Sequence, residues 1–173
     1  MVEKRSGVIT FKGKPMTLIG PQVAVGQKAP EFTVVDSSLS PVTLASSKGK
    51  ARLISVVPSL DTPVGDAQTK RFNDEAAKLG DKVEILTVSM DLPFAQKRWC
   101  GALSNVRVKT ASDYKDRSFG TNYGVLIDEL KLLTRSIFVV DASDTVRYVE
   151  YVKEVTEHPN YEAALAAVRK AAG

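Results

Sequence analysis

The chain predicts an α/β sandwich, and three observations predict it. Two runs rich in β-branched apolar residues, Arg52–Val57 and Val83–Ser89, are of the kind buried at the centre of a sheet covered on both faces. Segments carrying helix start and stop signals alternate with these runs. The 173 residues show no long linker, internal repeat or low-complexity stretch, so 1–173 reads as a single domain large enough for a substantial core.

The elements follow in order. Val8–Phe11, a turn at Lys12–Pro15 and Met16–Ile19 form an N-terminal hairpin. Phe32–Val35 is a short strand, and Arg52–Val57 is a central one that Pro58 stops. Thr62-Pro63 opens a helix, because Thr caps well and Pro at the first helical position gives up an N–H that would be unpaired anyway. Val64, Ala67, Phe72, Ala76 and Leu79 mark its inner face, and Gly80 closes it. After the strand at Val83–Ser89, Asp91-Leu92-Pro93 starts a short helix running to about Cys100, and Val106–Lys109 is a further strand. Ile137–Asp141 and Thr145–Val152 pair around Ala142–Asp144, and Asn160 caps a last helix with Tyr161, Ala164, Leu165 and Val168 inward. Strand–helix–strand–helix and then hairpin–helix is the order of a thioredoxin-like fold with an added N-terminal hairpin.

Composition narrows the function classes. The net charge of +4 is spread among acids along the chain, with no basic run interleaved with aromatics, which argues against a nucleic-acid partner. No apolar run approaches the ~20 residues that span a bilayer, and no signal-peptide core follows the first basic residues. A cytoplasmic protein without membrane attachment is the expectation. One cysteine, Cys100, excludes an intrachain disulfide, and one histidine, His158, excludes a multi-histidine metal site. No metal or other cofactor is expected. His158 reads as a surface residue without a partner; Phe94, Trp99 and Phe119 read as core or wall packing.

The segment Pro58-Ser59-Leu60-Asp61-Thr62-Pro63-Val64-Gly65-Asp66 resembles the peroxidatic loop of the peroxiredoxins, which reads Pro, three residues, Thr, two residues, Cys. Asp91–Gly101 is similar to the second signature of the bacterial thiol peroxidases, atypical two-cysteine peroxiredoxins in which it carries the resolving cysteine. Thr10–Pro15, Leu133–Asp141 and Pro159–Leu165 fit the same subfamily, so the likeness covers nearly the whole chain. It implies a peroxiredoxin variant of the thioredoxin-like fold, and an enzyme reducing hydrogen peroxide and organic hydroperoxides with electrons from thioredoxin. Close relatives tend to be homodimers, which implies one here. It further implies that Cys100 is the resolving cysteine, that Thr62 and Arg135 are catalytic, and that Pro58 shields the substrate pocket.

The family's pattern places its reactive thiol at position 65, where this chain has glycine. A thiolate at a helix N-terminus is stabilised by free N–H groups and the positive end of the helix dipole, and a guanidinium adds to this. Gly65 supplies no such nucleophile, so the chain is expected to be inactive as it stands. Whether the glycine is introduced, inherited or a misread oxidised cysteine is left open by the sequence. Glycine inside a helix costs about 1 kcal/mol relative to alanine, so folding alone gives no reason for it. Two further readings stay open: a non-catalytic binding or regulatory protein on the same fold, and a one-cysteine redox sensor using Cys100.

Overall fold

The computed structural model describes residues 2–173. Its centre is β5 (Ala51–Val56), whose six residues are all buried, flanked by parallel β6 (Val83–Ser89) and antiparallel β9 (Ser136–Val140). β7 (Lys109–Ser112), β3 (Thr33–Val35) and β4 (Pro41–Thr43) extend the sheet beyond β6, and β10 (Val146–Tyr151) closes it beyond β9. The order is β10-β9-β5-β6-β7-β3-β4. The N-terminal hairpin, β1 (Lys4–Phe11) and β2 (Lys14–Ile19), forms a separate three-stranded sheet with β8 (Leu126–Ile127).

Strand alternation sends side chains to two cores. Leu53, Ile85, Ile137 and Val139 meet Phe72 of α1 (Pro63–Leu79) and Leu165 and Val168 of α4 (Tyr161–Ala172). Ile54, Val56, Leu86, Val88 and Phe138 point to the other face, onto Phe32 and α3 (Ser118–Asn122), where Phe119 stacks on Tyr123 at 4.3 Å. α2 (Pro93–Gly101) connects β6 to β7 and brings Trp99 against Val57 and Leu60. The hairpin packs through Ile9, Met16 and Leu18 on Ile127 and Val155.

Most predicted elements stand within a residue or two, although β1 starts at Lys4 rather than Val8, and several other features differ. The strand expected at Val106–Lys109 begins only at Lys109, because the N–H groups of Arg107 and Val108 donate to Asn73 Oδ1 of α1 at 2.6 and 3.1 Å instead of to a neighbouring strand. The inner face of α1 is Gly65, Gln68, Thr69, Phe72 and Asn73, with Ala67 outside. Its polar members are buried because each is hydrogen-bonded: Gln68 to Ser55, Thr69 to the Gly65 carbonyl, Asn73 to the 105–108 segment. Phe94 is 65% exposed and belongs to no core, whereas Trp99 and Phe119 are buried as expected. His158 is exposed but has a partner, its Nδ1 lying 2.6 Å from the Tyr161 hydroxyl. α3 went unpredicted; the buried Asp113 carboxylate builds it by accepting the N–H groups of Phe119 and Gly120 at 3.1 and 2.8 Å. Among the described residues, no helix is long and apolar enough to cross a membrane.

Candidate active site

The parallel β5–α1–β6 unit puts the loop after β5 and the first turn of α1 at the C-terminal edge of the central strands, where open α/β sheets hold their ligands. Pro58 ends the strand. Thr62, with extended φ/ψ of −84° and 151°, caps α1: its hydroxyl accepts the Gly65 N–H at 3.0 Å and donates to the Ser59 carbonyl at 2.9 Å. One side chain therefore ties the loop to the helix. From below, the Asp91 carboxylate accepts hydrogen bonds from Ser59 Oγ (2.7 Å) and the Leu60 N–H (2.8 Å), fixing the loop to the turn after β6. Asp66 accepts the Trp99 indole N–H at 2.9 Å, which joins α1 to α2.

Arg135 reaches the same point through strand register. β9 runs antiparallel to β5 with Ser136 opposite Val56, so the residue before β9 lies beside the residues that follow β5. The residue is 2% exposed. Nε donates to the Val155 carbonyl at 2.8 Å, and Nη1 donates to Gln68 Oε1 at 3.0 Å. Gln68 in turn donates to Ser55 Oγ at 2.7 Å, so the arginine is held from two sides. Among the described residues no carboxylate forms an ion pair with it. Burial lowers its pKa to about 10, with a small opposing effect from the Tyr161 phenol, and it stays cationic at neutral pH.

Pro58, Thr62 and Arg135 line one cavity of about 420 Å³, walled mostly by apolar groups and reached by Phe11 and Lys12 from the N-terminal hairpin. A cavity of about 510 Å³ beside α4 is larger but holds none of these residues. Cys100 lies elsewhere: half-buried, with Sγ 3.7 Å from Thr110 Oγ1, it lines a third space of about 370 Å³ with Leu86 and Val108. The fold thus brings Pro58, Thr62 and Arg135 to one cavity at the start of α1, while Cys100 packs beside Val57 and Leu60 of the same loop but lines a different cavity.

Gly65 is buried at this junction. A Cβ built on it would lie 2.0 Å from the Ser59 carbonyl oxygen and 2.5 Å from Thr62 Oγ1. The loop lies in the space a side chain would need, so in this conformation residue 65 accommodates glycine without displacing Ser59 or Thr62. Sequence reasoning also missed Gln68 and Asp91 as the groups that hold Arg135 and the loop. The signal for Gln68 was present, as a long polar residue one helical turn from Gly65 on an inward face.

Comparison with known proteins agrees with this architecture. The Redoxin family model matches residues 24–165. A thiol peroxidase of Halalkalibacterium halodurans is 63% identical over 163 residues, covering 94% of this chain and 98% of the relative. One of Bacillus subtilis is 58% identical over 161 residues, covering 93% and 96%. Among solved structures, a peroxiredoxin-like protein from Aquifex aeolicus superposes with a TM-score of 0.89 at 40% identity, covering 98% of both chains. A thiol peroxidase from Chromobacterium violaceum, at 20% identity and a TM-score of 0.83 over 94% of this chain and 95% of that one, shares the fold. With most of its length matched by the family model and by full-length relatives well above half identical, the chain belongs to the Redoxin family and, within it, to the bacterial thiol peroxidases.

Proposed function

We propose that this chain is a thioredoxin-dependent thiol peroxidase frame, shaped to reduce hydrogen peroxide and organic hydroperoxides, that Gly65 leaves without its nucleophile. The observation that supports the reading is that Pro58, Thr62 and a buried Arg135 line one cavity at the start of α1, with Thr62 also holding the Gly65 N–H. In the complete reaction a thiolate at position 65 attacks the terminal peroxide oxygen. The O–O bond breaks, the sulfur becomes a sulfenic acid, and the departing alkoxide takes a proton to leave as alcohol or water. In this reading the Thr62 hydroxyl turns from the Ser59 carbonyl to hydrogen-bond the sulfur and the peroxide, and Arg135 stabilises the negative charge that moves from sulfur to the leaving oxygen. Pro58 keeps water from the pocket.

The Cys100 thiol then condenses with the sulfenic acid, releasing water and forming a disulfide, which thioredoxin reduces by thiol–disulfide exchange. In this reading Cys100, which lines a different cavity in this structure, moves toward position 65 for this step. A homodimer is part of the proposal, and light scattering at micromolar concentration checks it: a monomer mass removes it. The protein is placed in the cytoplasm, where thioredoxin keeps thiols reduced.

The test is hydroperoxide consumption with a thioredoxin system, comparing this chain with Gly65→Cys. Turnover in the Cys variant alone is the expected result. Absence of turnover in both would mean that the loop closure over residue 65 has ended catalysis, and the non-catalytic binding reading would take over. Turnover by the unaltered chain would refute the account.

A further inference from the structure

We infer that Asp66 is a positioning residue: through the Trp99 indole it holds Cys100 away from position 65 and so sets the rate at which two sulfurs can join there. The inference rests on the reading above, in which Cys100 resolves a sulfenic acid at that position.

Asp66 follows residue 65, and Trp99 precedes Cys100. The Trp99 indole N–H donates to Asp66 Oδ1 at 2.9 Å, so the neighbours of the two positions grip each other. Neither partner is loose. Trp99 is 7% exposed and packs against Val57 and Leu60. Asp66 stands in the first turn of α1, where the helix dipole favours its charge. Its N–H donates to the Thr62 carbonyl at 2.9 Å, and its Oδ2 pairs with Lys70 at 2.9 Å. The acceptor is therefore charged and fixed, and hydrogen bonds to ionised groups are the stronger kind.

Helix geometry turns this grip into control of the cysteine. Successive residues on an α-helix point about 100° apart. With Trp99 seated against the start of α1, Cys100 is turned aside, its Sγ 3.7 Å from Thr110 Oγ1 in the cavity it shares with Leu86 and Val108. Bringing Cys100 to residue 65 takes the indole off Asp66. Arg98 also ties this turn of α2 to the loop, meeting Asp61 at 3.2 Å, but both side chains are exposed and such pairs contribute little. Gln96, buried and bonded to Ser89 Oγ and the Ala111 carbonyl, anchors the helix one turn earlier, so its end can release while its start stays.

Release breaks a hydrogen bond and no covalent bond. The Cys100 sulfur then attacks the sulfenic sulfur. The S–S bond forms as the S–O bond breaks, and the thiol proton leaves with the hydroxyl as water.

Iodoacetamide alkylation of Cys100 in the unaltered chain reads how often the helix end releases, and it needs no thiol at position 65. Asp66→Ala and Trp99→Phe are each expected to raise the rate about tenfold, as the loss of one hydrogen bond to a charged group implies. Their combination raises it no further, because both remove the same contact. Asp66→Asn, which keeps an acceptor, recovers most of the parent rate. Additive effects would assign Trp99 to packing alone and overturn the inference, as would an unchanged rate in Asp66→Ala. If Trp99→Phe does not fold, the comparison of Asp66→Ala with Asp66→Asn decides. In Gly65→Cys given stoichiometric hydrogen peroxide, adding Trp99→Phe speeds disulfide formation about tenfold; an unchanged disulfide rate overturns the inference. If Gly65→Cys consumes no hydroperoxide, the peroxidase reading fails by itself, and the alkylation series still decides whether Asp66 holds Cys100.

Discussion

Gly65→Ala isolates the packing of the site from its chemistry. At an ordinary helical position the change stabilises by about 1 kcal/mol, because alanine has less backbone entropy to lose. Here the added methyl would stand 2.0 Å from the Ser59 carbonyl oxygen, which must retreat by about 1 Å to reach even a 3.0 Å contact. That oxygen retreats only at a cost, since the Thr62 hydroxyl holds it at 2.9 Å and Asp91 anchors Ser59 Oγ and the Leu60 N–H. Thr62 Oγ1, 2.5 Å away, can rotate aside only by releasing the Gly65 N–H, a cap worth about 1 kcal/mol. Overpacking of this kind costs about 1–3 kcal/mol. The expected net effect is destabilisation of about 1–2 kcal/mol, or a fall of roughly 2–8 °C in Tm for a chain of this size. Urea unfolding measures it, with Gly80→Ala as a comparison in which no neighbour approaches within 4 Å but the backbone φ of +78° disfavours any side chain. A Gly65→Ala chain more stable than the parent would refute the argument that the loop has closed on the glycine.

Thr62→Ala leaves the Gly65 N–H and the Ser59 carbonyl without their shared partner, and a loss of about 1–2 kcal/mol is expected in denaturant unfolding, with Thr62→Ser recovering most of it. Asp113 is pushed by burial from 3.8 to about 6, against the N–H groups of Gly120 and Phe119 that favour its charge. The raised value means the folded state holds this proton more tightly than the unfolded chain. Its ionisation costs up to about 3 kcal/mol above pH 6, and the cost is relieved as pH falls toward 4. Unfolding of the chain and of Asp113→Asn, compared across that range, should shift in favour of the parent as pH falls; a constant difference refutes the assignment. Cys100, half-buried against Thr110, should alkylate more slowly in the folded chain than after denaturation, and equal rates would restore the lone-thiol sensor reading.

Sequence pattern located the sheet and its helices because their signals are local. Gly80 closes α1 with φ 78°, and Asn160 caps α4 by accepting the Ala163 N–H at 3.0 Å, both as the residue types alone suggest. Pattern failed where a distant group replaces a local one. The amides of Arg107 and Val108 look like strand amides until Asn73, more than thirty residues earlier, takes them. The Asp113 carboxylate likewise starts α3 from outside the helix, so no cap residue announces it. At the site, Pro58, Thr62 and Arg135 were legible through the motif, and strand register brings them together. The closure of Ser59 on Gly65 was not legible, because it depends on three-dimensional contacts among Ser59, Thr62 and Asp91 rather than on any single spacing.

Membership in a peroxidase family and the lack of a nucleophile coexist in this chain because fold and chemistry rest on different atoms. The two large cores are built from Ile54, Val56, Val88 and Phe138 on one face of the sheet and Leu53, Phe72, Ile137 and Leu165 on the other, and none of them touches chemistry at position 65. Identity of 63% over 94% of the chain therefore measures the scaffold, and it is insensitive to one side chain. The groups proposed to serve a thiolate are held by contacts of their own: Arg135 by Val155 and Gln68, Thr62 by its helix and loop. They remain in place without sulfur. What the missing side chain changes is the balance of charge. A guanidinium that a thiolate would neutralise is left buried and without a carboxylate partner beside an apolar wall.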